Sequence, residues 1–99
     1  MILKMFAIRD VKTESYGTPF FAQHKGQAVR MFQQLANDRR SEVWKFPRDY
    51  VLFEVGAFDA SSGDVERLTV PAMLGMAAEY LDERLQGEMP TFQGSDVNE

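Results

Sequence analysis

The stretch from Tyr50 to Phe58 is apolar apart from Glu54 and Gly56, and it runs into Asp59-Ala60-Ser61-Ser62-Gly63-Asp64 before an extended stretch resumes at Val65–Val70. β-Branched and aromatic side chains suit a pleated backbone, and Asp, Ser and Gly supply the bends that reverse it. The chain must therefore contain an antiparallel hairpin, and its fold must cover at least one face of that hairpin. Simple alternation sends Val51, Phe53, Val55 and Ala57 to one side. It sends Tyr50, Leu52 and Phe58 to the other, where Glu54 interrupts them.

The segments before the hairpin follow the same logic. Residues 2–11 are rich in apolar residues without helical caps and read as a strand, Glu14-Ser15-Tyr16-Gly17 as a turn, and Pro19-Phe20-Phe21-Ala22 as a short second strand. From about Lys25 the period becomes helical. Ala28, Phe32 and Leu35 form an apolar stripe widened by Val29, Met31 and Ala36, while Arg30, Gln33 and Gln34 face water. Asn37-Asp38 ends that helix, and Arg39 to Asp49 is a polar and aromatic connection interrupted by Pro47. After the hairpin, Pro71 suits the first turn of a second helix, with Met73, Leu74, Ala77, Leu81 and Leu85 on its apolar face and Gly87 at its end.

The order β-β-α-β-β-α predicts an α+β fold: a four-stranded, mainly antiparallel sheet with two helices on one face. Residues 1–87 form a single domain, and 88–99 read as a disordered acidic tail. Because the helices cover one face only and both faces carry apolar residues, a monomer would expose an apolar patch of the kind that marks a partner surface. The expected open face carries Tyr50, Leu52 and Phe58 with Phe6 and Ile8 of the first strand. A homodimer through this face is the favoured answer; the alternative is that the face stacks bases, as sheet-based nucleic-acid binders do.

Charge divides the chain in two. Residues 1–48 carry about +5 and residues 49–99 about −9, for a net −4. Phosphates respond to local potential rather than to the average, so an acidic chain with a basic half remains open to a nucleic-acid partner. The opposite charges could equally be two solvated surfaces that attract each other. Arg39, Arg40, Lys45 and Arg48 interleave with Trp44 and Phe46, the mixture of cations and flat rings that single strands require. The same rings could instead fold under as a satellite core. Lys25 and Arg30 on the first helix extend the basic surface.

Catalysis finds no support. With no Cys in the chain, disulfides, thiolate zinc sites and Cys nucleophiles are excluded. His24, the single histidine, lacks partners at ligand spacing, and Asp59 to Asp64 lacks the terminal Glu of a calcium loop. No catalytic residue, metal site or cofactor is expected. Neither a signal peptide nor a membrane-spanning run is discernible, which suits a soluble protein inside a cell.

Two runs carry a family likeness. Gly17-Thr18-Pro19-Phe20-Phe21 with Lys25-Gly26-Gln27-Ala28-Val29-Arg30-Met31-Phe32 is one, and Pro47 to Asp59, of the form Pro-x-Asp-Tyr-x-Leu-Phe-x-x-Gly-x-Phe-Asp and closed by Gly63, is the more specific. Over roughly residues 2–75 the chain resembles a small nonstructural protein of the gokushoviruses, microviruses with circular single-stranded DNA genomes. The resemblance implies a nonstructural phage protein acting in the host cytoplasm. Such proteins are usually described as DNA-binding, or as counterparts of the microvirus C protein, which shifts replication from duplex to single-stranded genome synthesis during packaging. It implies no residue roles. Two functions follow as expectations: an accessory factor on single-stranded DNA or its replication complex, or a protein-interaction module that engages phage or host replication proteins without touching DNA.

Overall fold

The computed structural model describes residues 1–82. Its elements are β1 (Ile2–Asp10), β2 (Ser15–Tyr16), β3 (Phe20–Ala22), α1 (Lys25–Ala36), α2 (Glu42–Lys45), β4 (Tyr50–Asp59), β5 (Val65–Met76) and a closing 3₁₀ turn, Ala77–Tyr80. The expected class stands: an open antiparallel sheet with two helices against one face. Five strands fill four columns, ordered β2-β1-β4-β5, because the short β2 and β3 pair with different stretches of the same edge of β1.

The expected second helix is absent from the described residues, and its place is taken by strand. β5 continues through Pro71 to Met76, and only Ala77–Tyr80 coils. Proline has no N–H to give a ladder and is tolerated where pairing is already broken. Here the register jumps from Gly56↔Arg67 to Glu54↔Ala72, so Leu68 to Pro71 bulge out opposite Val55. The helical spacing of Met73, Leu74, Ala77 and Leu81 is therefore read by a strand end and a tight turn. Leu85, Gly87 and the acidic tail lie outside the described residues.

Helix α1 begins where the Gln27 carboxamide accepts hydrogen bonds from the Gln23 and His24 backbone N–H groups, at 2.9 and 3.3 Å. It buries Ala28, Phe32 and Ala36, and it rests Val29 and Leu35 on the same core; Met31, expected on the stripe, is exposed. At its end the Asn37 side chain donates to the carbonyls of Gln33 and Tyr80 and accepts from the Asp82 N–H at 2.6 Å. That one amide ties the helix to the last described residues. The Tyr80 ring packs edge-on against Phe32, and over Gly75 it occupies the space a Cβ would need. With φ at +138°, Gly75 also adopts a backbone conformation that other residues resist.

The core lies between this helical layer and one face of the sheet: Phe6, Ala22, Leu52 and Ala77 meet Ala28, Phe32, Ala36 and Val43. Phe6 and Leu52 are fully buried, and Ile8 and Tyr50 pack against the cluster. Four of the five residues expected on the open face are thus on the covered one. Only Phe58 lies open. The helical layer packs on the face that carries Phe6, Ile8, Tyr50 and Leu52, and a bulge parts Phe58 from them. β1 pairs Met5 with Gly56 and Phe6 with Glu54, leaving Val55 unmatched, so the alternation of β4 reverses parity beyond it. Phe58 thereby joins Val51 and Phe53, and Ala57 joins Leu52.

Candidate functional site

The basic connection between α1 and β4 is a short, braced structure. The Ser41 hydroxyl donates to the Leu35 carbonyl and accepts the Trp44 N–H at 3.0 Å, capping α2. Val43 enters the main core and Pro47 is fully buried. Trp44 and Phe46 are half-buried, and the indole N–H is enclosed without an acceptor. The cations are partly compensated. The Arg40 guanidinium bonds Asp38 at 3.1 and 3.2 Å, and Lys45 lies 3.5 Å from Glu42. The Arg40 bond holds the Asp38 carboxyl below its ordinary range and raises Arg40. Arg39 and Arg48 are exposed.

Five of the seven cation and ring positions expected to bind nucleic acid (Arg39, Arg40, Trp44, Lys45 and Arg48) therefore share one connection at the C-terminal end of α1. Lys25 sits at the other end of that helix, roughly 17 Å away at 1.5 Å per residue, with Arg30 between, both exposed. This is a dispersed basic surface with embedded rings, not a groove.

A more ordered array lies on the sheet face away from the helices. Directly opposed residues of an antiparallel ladder project to the same side. Leu3, Met5, Ala7 and Arg9 of β1 thus share this face with Phe58, Gly56, Phe53 and Val51 of β4. Pairing adds Tyr16 and Phe21 at one edge, and Val65, Arg67, Met73 and Met76 at the other. The rings meet in two pairs: Tyr16 with Phe53, centroids 5.6 Å apart, and Phe21 with Phe58 at 5.8 Å. Arg9 lies over Tyr16, 5.7 Å from its centroid. Tyr16 and Phe21 are 46% and 45% exposed, and Val65 and Met73 more so. Among the described residues, no carboxylate occupies a paired position on this face. The acids of the strands, Asp10, Glu54, Asp59 and Glu66, fall on the other, where Glu54 meets Lys4 at 3.8 Å.

Other candidates are weaker. A recess of ≈ 320 Å³ at the hairpin end is lined by Ile2, Ala57, Val65 and three carboxylates, Asp59, Asp64 and Glu66, so it repels anions. The Ser61 backbone N–H bonds Asp59 and holds its carboxyl low. Among the described residues, no group of three His, Cys, Asp or Glu could hold a metal. No helix among them is long and apolar enough to cross a membrane.

The family model described as Phage ORF5 protein matches residues 3–80, from the first strand to the closing 3₁₀ turn. The chain belongs to the Phage ORF5 protein family. It is therefore a phage protein, as the resemblance of its two motif runs implied, and the matched span coincides with the folded unit described above. No curated protein and no solved structure matches the chain. In this ORF5-family chain the more specific run, Pro47 to Asp59, contains the strand whose bulge sorts the rings; Arg9, Tyr16, Phe21, Phe53 and Arg67 were not singled out by sequence reasoning. Gly56 was the available signal, since glycine inside a strand often marks a bulge.

Proposed function

We propose that this ORF5-family chain is a non-catalytic accessory factor that associates with single-stranded DNA during phage genome replication or packaging in the host cytoplasm. One observation carries the reading: among the described residues, the sheet face away from the helices holds Arg9 and Arg67 among four rings and has no carboxylate at a paired position, in a chain of net charge −4. A face that merely kept the protein in solution would carry the acids that the rest of the chain has in excess. The gokushovirus likeness and a role like that of the microvirus C protein accord with this reading. The basic connection at Arg39–Arg48 would add phosphate contacts around it. The experiment is binding of a labelled oligonucleotide over a range of salt. Affinity that falls as salt rises supports the reading, because bound phosphates release counterions; no binding at low salt sinks it.

A second reading rests on the same face. Leu3, Met5, Val65 and Met73 give it enough apolar surface for a protein partner, which would make the chain an interaction module for replication proteins. A second copy is the simplest such partner, and a homodimer would bury the rings that the first reading uses. The two occupancies exclude each other. Sedimentation near twice 11.3 kDa that oligonucleotide leaves undisturbed favours the second reading.

A further inference from the structure

We infer that the two ring pairs, Tyr16/Phe53 and Phe21/Phe58, are stacking stations for unpaired bases, with Arg9 and Arg67 placed for the backbone phosphates. The ligand class is single-stranded nucleic acid held without sequence preference. This inference rests on the single-strand reading above and adds the residues and the way they hold the bases. Each pair offers a ring on the edge strand, nearly half exposed, braced by a ring on the central strand. The edge ring is thus held in orientation while part of its surface stays available to a base. Phe53 and Phe58 are five residues apart along β4, so the stations lie roughly 15 Å from each other at about 3.4 Å per residue, less the shortening at the bulge. A strand crossing the sheet can reach both stations only if its bases are free to turn toward the protein, and duplex bases are not.

The charges fit the same occupant. Arg67 opposes Gly56, between the two stations, and Arg9 stands beside the first. Gly56 carries no side chain, so between the stations the face offers a cation rather than a third ring. Flat rings bind any base by its π-face, and the side chains that pairing places on this face are mostly apolar, so base selection is not expected. The basic connection at Arg39–Arg48 differs: its indole is half-buried, and Arg40 and Lys45 lie against carboxylates.

The test uses the full chain with oligodeoxythymidylate, oligouridylate and a duplex of the same length as probes. Tyr16→Leu and Phe21→Leu remove a ring at an exposed edge but keep an apolar side chain; Tyr16→Phe and Phe21→Tyr keep the ring. Circular dichroism and thermal unfolding confirm that each variant folds. Each leucine variant should weaken single-strand binding about five- to a hundredfold, the ring-keeping variants should bind like the parent, and duplex should bind more weakly throughout. Replacing Arg9 and Arg67 with Ala should reduce the salt slope by about 1.4, near 0.7 per phosphate contact on a single strand. If the parent binds and the leucine variants match it, while Arg39→Ala with Arg40→Ala weakens binding, the stacking stations are refuted and the accessory-factor reading survives. Ring-dependent binding much tighter to oligouridylate than to oligodeoxythymidylate keeps the stations and overturns the DNA assignment. A parent that binds none of the probes overturns both.

Discussion

At Gly56 the β4 backbone passes so close to β5 that a Cβ would run into the Glu66 carbonyl. Neither strand can yield easily, because both are held in their ladders. Gly56→Ala should therefore cost about 1–3 kcal/mol of stability, as overpacking at a rigid contact does, read as a lower denaturant midpoint with an unchanged slope. Leu52→Ala should cost more, about 2–5 kcal/mol, because the side chain is fully buried. Tyr50 gives a pH signature. Burial, then the nearby charges of Asp10, Glu42 and Asp49, raise its phenol above the ordinary 10.0. The folded state thus keeps a proton that the unfolded chain releases, so stability is full below about pH 10 and falls as pH rises through the folded value. Tyr50→Phe should remove that share of the alkaline loss, seen in thermal unfolding at pH 9 and pH 11.

Elements were legible wherever one period dominated. The α1 stripe, the β4 run and the Asp59–Asp64 loop are local patterns, and the structure keeps them within a residue or two. The stretch after Val70 was not legible, because Met73, Leu74, Ala77 and Leu81 satisfy a helical period and Pro71 suits a helix start as well as it suits a bulge. What decides is non-local: β4 continues alongside and supplies a ladder up to Val51↔Met76. The open face failed for a related reason. Alternation holds on either side of Val55, but one unmatched residue exchanges the sides and parts Phe58 from Tyr50 and Leu52, while the helical layer covers the face that carries Phe6, Ile8, Tyr50 and Leu52. The tie at the end of α1 is testable at this scale. Asn37→Ala removes two donated bonds and one accepted bond that join Gln33, Tyr80 and Asp82. It should lower stability by about 1–3 kcal/mol, and hydrogen exchange should quicken in Ala77–Tyr80 before it does in β1 or β4.

For the whole molecule, charge is sorted by sheet face rather than by half of the sequence, since Arg67 and its neighbour Glu66 fall on opposite sides. The acids of the hairpin end, Asp59, Asp64 and Glu66, line one recess, whereas the face with the paired rings carries Arg9 and Arg67. A chain of net charge −4 can thus present phosphates with a local surface of opposite sign. The face against the helices explains stability, and the proposal places association on the other. Titrating the isotope-labelled chain with oligodeoxythymidylate and following its backbone and aromatic NMR signals tests that claim most directly. The account predicts that the signals of Met5, Arg9, Tyr16, Phe21, Phe53 and Phe58 move together and saturate, while Ala28, Phe32 and the hairpin loop stay in place. Shifts confined to Arg39–Arg48 and the Trp44 indole, with the sheet face silent, would contradict it.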